Sequence, residues 1–203
     1  MNKRIFRNSL PIFIFIAITA LIYSCFGRTP QATFYKLITM QENNPEHALS
    51  QKFSIAIGPV AIPSEMDRPQ IIIRDQESRV KMSEYNRWSG PLQEDIASVL
   101  SSNLSLLLGT DRITPRHHGN LFPFTHFVVL NINRFDGQLQ GEVLLDVTWS
   151  IQKDQHPEPL IVKRSIIHEP VLSADYDGLV TAQSKALSEL SRQIAASLRT
   201  IRE

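Results

Sequence analysis

The sequence predicts an α/β (α+β) fold, a two-layer sandwich with two main helices on one face of a mostly antiparallel sheet. Three observations carry that expectation. Apolar residues recur at helical spacing in two segments: Leu92, Ile96, Val99, Leu100, Asn103 and Leu107, then Leu179, Ala182, Ala186, Leu190, Ile194 and Leu198. Between them, Val143, Leu145, Val147, Trp149 and Ile151 alternate with Leu144, Asp146, Thr148 and Ser150 at period two. Strand-like runs also follow one another through short turns, which favours hairpins and antiparallel pairing.

The elements follow in order. Phe34-Tyr35-Lys36-Leu37 is a short apolar island. It suits either a first strand on a sheet edge or a contact with the membrane interface, where aromatic rings partition well. Residues 53–62 (FSIAIGPVAI) read as a strand, with Gly58-Pro59 marking a bulge or edge. Residues 64–69 form a loop, Gln70 to Arg74 a short strand, and Arg79 to Met82 its return. The first helix starts near Ser89-Gly90-Pro91, because proline is tolerated in a first turn. Glu94 and Asp95 suit its positive end, and Gly109 suits its C-terminal stop. Asp111 to Pro115 is a short strand and residues 116–124 a loop. Phe127 to Leu139 and Glu142 to Gln152 form a hairpin whose turn is bracketed by Gly137 and Gly141, and Leu160 to His168 returns once more. Ser173 or Asp175 caps the final helix.

The N-terminus has a different character. Lys3, Arg4 and Arg7 precede an uncharged stretch from Leu10 to Tyr23, shorter than the about 20 residues a spanning helix needs. A basic start before such a stretch reads as a secretory signal peptide over residues 1–24. Ile22-Tyr23-Ser24-Cys25 resembles the lipobox of bacterial lipoproteins, with a large Tyr23 where a small residue is usual. Cys25, the one cysteine of the chain, is the expected lipidation site. The other reading is a buried free thiol at the end of an uncleaved anchor. Residues 25–51 then form the lipidated N-terminus and tether, and residues 52–203 a single domain.

Composition excludes several classes. Lys and Arg number 21 against 20 Asp and Glu, a net charge of +1, so no nucleic acid partner is expected. One cysteine closes no internal disulfide and builds no cysteine-rich metal site. The six histidines (His47, His117, His118, His126, His156, His168) are scattered, with no HExxH spacing, so no metal is expected. There is no GxSxG elbow, no GxxxxGK[ST] phosphate loop and no persuasive carboxylate pair. The expectation is a protein with no catalytic residues and no cofactor.

Candidate contact residues are Asp67, Arg68, Pro69 and Gln70, a proline-stiffened loop backed by a strand and carrying a five-donor guanidinium. That loop either docks a partner or closes an internal Asp-Arg pair. Arg87 and Trp88 precede the first helix. Trp88 either packs back on that helix as a staple or anchors an interface with Arg87.

Two runs carry a family likeness: Ile57-Gly58-Pro59-Val60-Ala61-Ile62-Pro63 continuing to Asp67-Arg68-Pro69-Gln70-Ile71-Ile72-Ile73-Arg74, and Asn86-Arg87-Trp88 through Pro91-Leu92 to Leu107-Leu108-Gly109-Thr110-Asp111-Arg112. Phe135-Asp136-Gly137 and the strand from Val143 to Ile151 fit as well. Across roughly residues 34–200 the chain resembles the ABC-type transport auxiliary lipoproteins. The resemblance implies an envelope lipoprotein with a palmitate-bearing anchor, on the periplasmic side. It also implies work beside an ABC transporter and a mammalian-cell-entry (MCE) domain protein that move lipids, phospholipids in the main, between membranes. Phe26, where Asp would retain a lipoprotein at the inner membrane, points to the outer membrane. A homo-oligomeric ring would match the ring symmetry of MCE assemblies. The alternatives are a periplasmic lipid-binding carrier and an envelope-assembly lipoprotein.

Overall fold

Strand-forming runs and the two amphipathic helices fall close to where the sequence puts them. The computed structural model describes residues 30–41, 53–76, 78–116 and 122–201. The signal peptide, Cys25, Phe26, most of the tether and the histidines at 47, 117 and 118 lie outside the described residues.

The strands are β1 (Thr33–Tyr35), β2 (Ile55–Ala61), β3 (Gln70–Gln76), β4 (Arg79–Trp88), β5 (Ile113–Pro115), β6 (His126–Gly137), β7 (Glu142–Lys153) and β8 (Pro159–Pro170). The helices are α1 (Leu92–Leu108) and α2 (Tyr176–Thr200). Gly109 ends α1 in the left-handed conformation, at φ 61°, where a side chain would be strained. Asp175 caps α2 by accepting a hydrogen bond from Gly178 N at 2.8 Å.

The fold is α+β, but the strands divide between two mixed sheets, ordered β1-β4-β3 and β5-β2-β6-β7-β8. The long ladders β6–β7 and β7–β8 and the β3–β4 hairpin are antiparallel. By contrast β2 runs parallel to both neighbours, β5 and β6, and β1 runs parallel to β4. The single sheet expected from adjacent hairpins is therefore corrected to two. The reason is that β2 pairs with strands far away in sequence, leaving the β3–β4 hairpin to find its third strand in the N-terminal segment. The predicted Gly58-Pro59 irregularity is a register shift between Ile57 and Val60 in the β2–β6 ladder.

Both helices pack on the five-stranded sheet, α1 over β2 and β5, α2 over β7 and β8, and they touch each other. The period-two face of β7 is buried against them, as Val143, Leu145, Val147, Trp149 and Ile151 are each at most 1% exposed. Trp149 keeps its polar edge satisfied: Nε1 donates to Ser165 Oγ at 2.9 Å, and that hydroxyl donates to Gln193 Oε1 at 2.6 Å.

The two sheets are joined through Asp136, which is 2% exposed on β6. Arg74 of β3 reaches its carboxylate through Nε at 3.1 and 3.2 Å and Nη2 at 2.5 Å, and Arg134 Nε donates at 2.7 Å. The hydrogen bond to Asp136 raises the Arg74 pKa further and keeps it charged. Beside this group Gly137 admits no side chain, since a Cβ would lie 2.8 Å from the Glu142 carbonyl oxygen.

His126 opens β6 at 6% exposure, stacked on Phe53 with ring centroids 4.8 Å apart. Burial first, and the charge of Lys153 second, lower its pKa below 6.5.

Two outcomes follow from these buried groups. Asp136→Ala removes the buried carboxylate that two guanidiniums bond, and should lower stability by about 3 kcal/mol in urea unfolding at pH 7. Because His126 is neutral in the folded chain, stability should be complete above pH 6.5 and fall as pH drops from there through the lowered pKa. The difference in melting temperature between the parent and His126→Asn should therefore narrow from pH 7.5 to pH 5.5. A constant difference across that range would contradict the assignment.

Candidate functional site

The two sequence-predicted contact segments meet at one end of the three-stranded sheet. The loop over residues 64–69 is held by its own backbone, with Met66 N donating to Pro63 O at 2.9 Å and Arg68 N to Met66 O at 2.8 Å. Met66 is buried beneath it, 4% exposed, and fixes the loop to the core. Trp88 N then donates to Pro69 O at 2.7 Å, and Gln70 is the register partner of Arg87. Segments almost twenty positions apart in sequence thus form one edge-to-edge surface, because β3 and β4 are antiparallel partners.

Within that surface the side chains divide. Asp67 and Pro69 are exposed, while Arg68, Gln70 and Arg87 are half-buried. The Arg68 guanidinium lies over the exposed Met82, with Nη1 2.7 Å from its sulfur. Among the described residues no ion pair joins Asp67 to Arg68, and Arg68 Nε is buried without a hydrogen-bond partner. Arg87 Nε donates weakly to Glu84 O at 3.3 Å. Trp88 is 6% exposed and belongs to the hydrophobic core with Leu92 and Ile96 of α1, the position of a packing staple.

The third member of this end is the edge strand that the sequence offered for Phe34-Tyr35. β1 adds alongside β4, with Phe34 in register with Arg87 and Tyr35 with Trp88. One row across the sheet therefore reads Phe34, Arg87, Gln70. Phe34 is 63% exposed, so an aromatic ring stands in solvent on the row that Arg87 and Gln70 share. Val80, Met82 and Tyr85 of β4 are exposed on the same small sheet. The Phe34-Tyr35 island is a strand whose aromatic ring stays exposed, a combination that a choice between strand and membrane contact did not anticipate.

The residues after β1 tie this end to the helices. Leu37 N donates to Asp95 Oδ2 of α1 at 2.8 Å, Ile38 N to Ser184 Oγ of α2 at 3.0 Å, and Met40 N to Asn103 Oδ1 of α1 at 2.9 Å. Asn103 Nδ2 in turn reaches Ser191 Oγ at 3.2 Å. Burial raises the Asp95 pKa, opposed by the Leu37 amide. Leu37 itself is buried, 4% exposed. These are hydrogen bonds between backbone amides and side chains on two helices, which no local periodicity encodes.

Among the described residues no three His, Cys, Asp or Glu side chains gather to hold a metal, and no described helix is long and apolar enough to cross a membrane.

Comparison with known proteins gives the family. The fold is shared with a crystal structure of an uncharacterised protein at 17% identity and TM-score 0.69, covering 83% of this chain and 99% of that one. It is also shared with a Xanthomonas campestris protein of the DUF330 family at 13% identity and TM-score 0.68, covering 83% and 96%. No curated protein sequence matches. Residues 35–195 match the family model of the ABC-type transport auxiliary lipoprotein component, a span that runs from the last residue of β1 through β2 to β8 and into α2. The chain belongs to that family of transport auxiliary lipoproteins.

Proposed function

We propose that this chain is a lipid-anchored periplasmic subunit of an ABC/MCE-type intermembrane lipid transport system, that it performs no chemistry of its own, and that it docks on the transporter. The observation that carries the reading is the family match over residues 35–195. The geometry supports the same division of labour. An N-terminal segment that follows a lipid-bearing Cys25 is fastened to both helices by the amides of Leu37, Ile38 and Met40. The membrane anchor therefore pulls on the body of the domain rather than on one loose strand. Beside it stands the exposed row of Phe34, Arg87 and Gln70 with the Asp67-Arg68-Pro69 loop, rigid enough to recognise a protein surface without ordering first.

The rival carrier reading needs an apolar cavity between helices and sheet. That space is filled by Leu100, Leu104, Leu145, Trp149 and Ile194, each at most 1% exposed, which favours docking over carriage. The outer membrane is the proposed site of the anchor, on the character of Phe26. The proposed partner is the MCE-domain protein of the transporter, met by this chain as a homo-oligomer.

Two measurements test this. A C-terminally tagged chain, solubilised in mild detergent, should co-purify with an MCE-domain protein and begin at a lipidated Cys25 when its N-terminus is mapped. Recovery with bound lipid and no protein partner would replace docking by carriage. Arg68→Ala should then reduce partner recovery about tenfold, the scale of one lost interface contact, while shifting the melting temperature little. A large melting shift with partner recovery unchanged would make Arg68 structural.

A further inference from the structure

β8 closes one edge of the five-stranded sheet and pairs only with β7 among the described residues. Eight of its twelve residues are exposed, so this edge is open to a second strand. Ser165 and Ile167 are its two buried positions, and Ser165 bonds Trp149 and Gln193 on the helix side. Leu160, Val162, Arg164, Ile166 and His168 therefore share the opposite face. Leu160 is 39%, Val162 59% and Ile166 56% exposed, and no other described strand of that sheet carries an exposed large apolar side chain.

Open edges are ordinarily guarded by charges, an internal proline or a bulge. In β8 the prolines stand only at the ends, Pro159 and Pro170, and the ladder with β7 runs unbroken from Ile161 to Pro170. Its two cations are turned back on their own chain. Arg164 clamps Asp146 of β7, through Nε at 2.8 Å and Nη2 at 2.7 Å. Lys163 Nζ donates to Ser197 Oγ at 2.9 Å and lies over the Trp149 ring. That bond uses one of the three ammonium donors. Among the described residues Lys163 meets no carboxylate, and Glu169 meets no cation.

We propose that β8 pairs with β8 of a second copy of this chain, antiparallel about a two-fold axis at Ile166, and joins two five-stranded sheets into one. Charge selects both the occupant and the register. Lys163 and Glu169 lie three positions either side of Ile166, on the helix-facing side. Pairing about Ile166 sets Lys163 of each copy opposite Glu169 of the other, twice by symmetry. Ile166 meets its own counterpart on the open face, and Val162 lies opposite Pro170. Arg164 faces His168, with Asp146 and Glu142 behind them to take the charge. An axis at Lys163 or at Arg164 would oppose like charges, and one at Ser165 would set Lys163 against Ile167. The proposal deepens the homo-oligomer part of the reading above and rests on no transporter protein.

The test uses the full chain in mild detergent. Ile166→Cys should give a reductant-sensitive dimer on mild oxidation, because directly paired side chains stand within disulfide reach. The parent chain, whose one cysteine is Cys25, is the control. Val162→Cys should give no such dimer. Lys163→Glu and Glu169→Lys should each weaken the dimer about tenfold by sedimentation, since each change acts twice across the axis. The double swap should restore it, with melting temperatures little changed throughout. A role for Lys163 confined to Ser197 would not be rescued by Glu169→Lys. A monomeric chain would overturn the pair and leave the docking reading standing. A dimer that neither reversal weakens, or one that cross-links through position 162, would also overturn it. So would protection of the β8 amides that appears only with an added transporter protein, which would give the edge to that partner. Cross-linking at position 166 with no MCE-domain protein recovered would overturn the transporter reading and support the pair.

Discussion

The carboxylate of Asp136 is the constraint that turns two sheets into one body. A buried anion on β6 needs charge and hydrogen bonds around it, and both come from arginines, Arg74 on β3 and Arg134 on its own strand. Satisfying it draws the β3–β4 hairpin against the five-stranded sheet at a fixed point. The close approach at Gly137 and the hydrogen bond from Gln183 Nε2 to Phe135 O at 3.2 Å seat α2 on the same stretch of β6. Three neighbouring residues, Phe135, Asp136 and Gly137, therefore meet the second sheet, the final helix and the β6–β7 turn at once.

The second coupling runs through the segment after β1. It contributes a strand to the small sheet, a buried leucine to the core and three backbone amides to side chains of two helices. Backbone groups that leave a sheet edge need partners, and here Asp95, Ser184 and Asn103 provide them. This arrangement ties β1 to the helical layer. It also sets Phe34 beside Arg87 and Gln70, on the surface proposed to meet the transporter.

The Phe34–Arg87–Gln70 end offers an aromatic ring, guanidinium groups and a stiff loop, the ingredients of side-chain recognition. It depends on no cavity inside the sandwich, because large apolar side chains occupy the layer between helices and sheet.

Local pattern was enough to determine the helices and the longest strands. The stripe from Leu179 to Leu198, the alternation from Val143 to Ile151 and the stop at Gly109 are each consequences of periodicity or of one residue's backbone preference, and these act within a few positions. The Asp67-to-Gln70 loop and the Arg87-Trp88 pair were also visible as segments. That they share one surface was not, because the pairing of Gln70 with Arg87 is a property of the ladder. The division into two sheets, the parallel flanking of β2, the buried role of Asp136 and the placing of Phe34 beside Arg87 were decided by tertiary structure alone. Each depends on groups distant in sequence competing for the same hydrogen bonds and the same buried volume, and a one-dimensional pattern holds no record of which competitor wins.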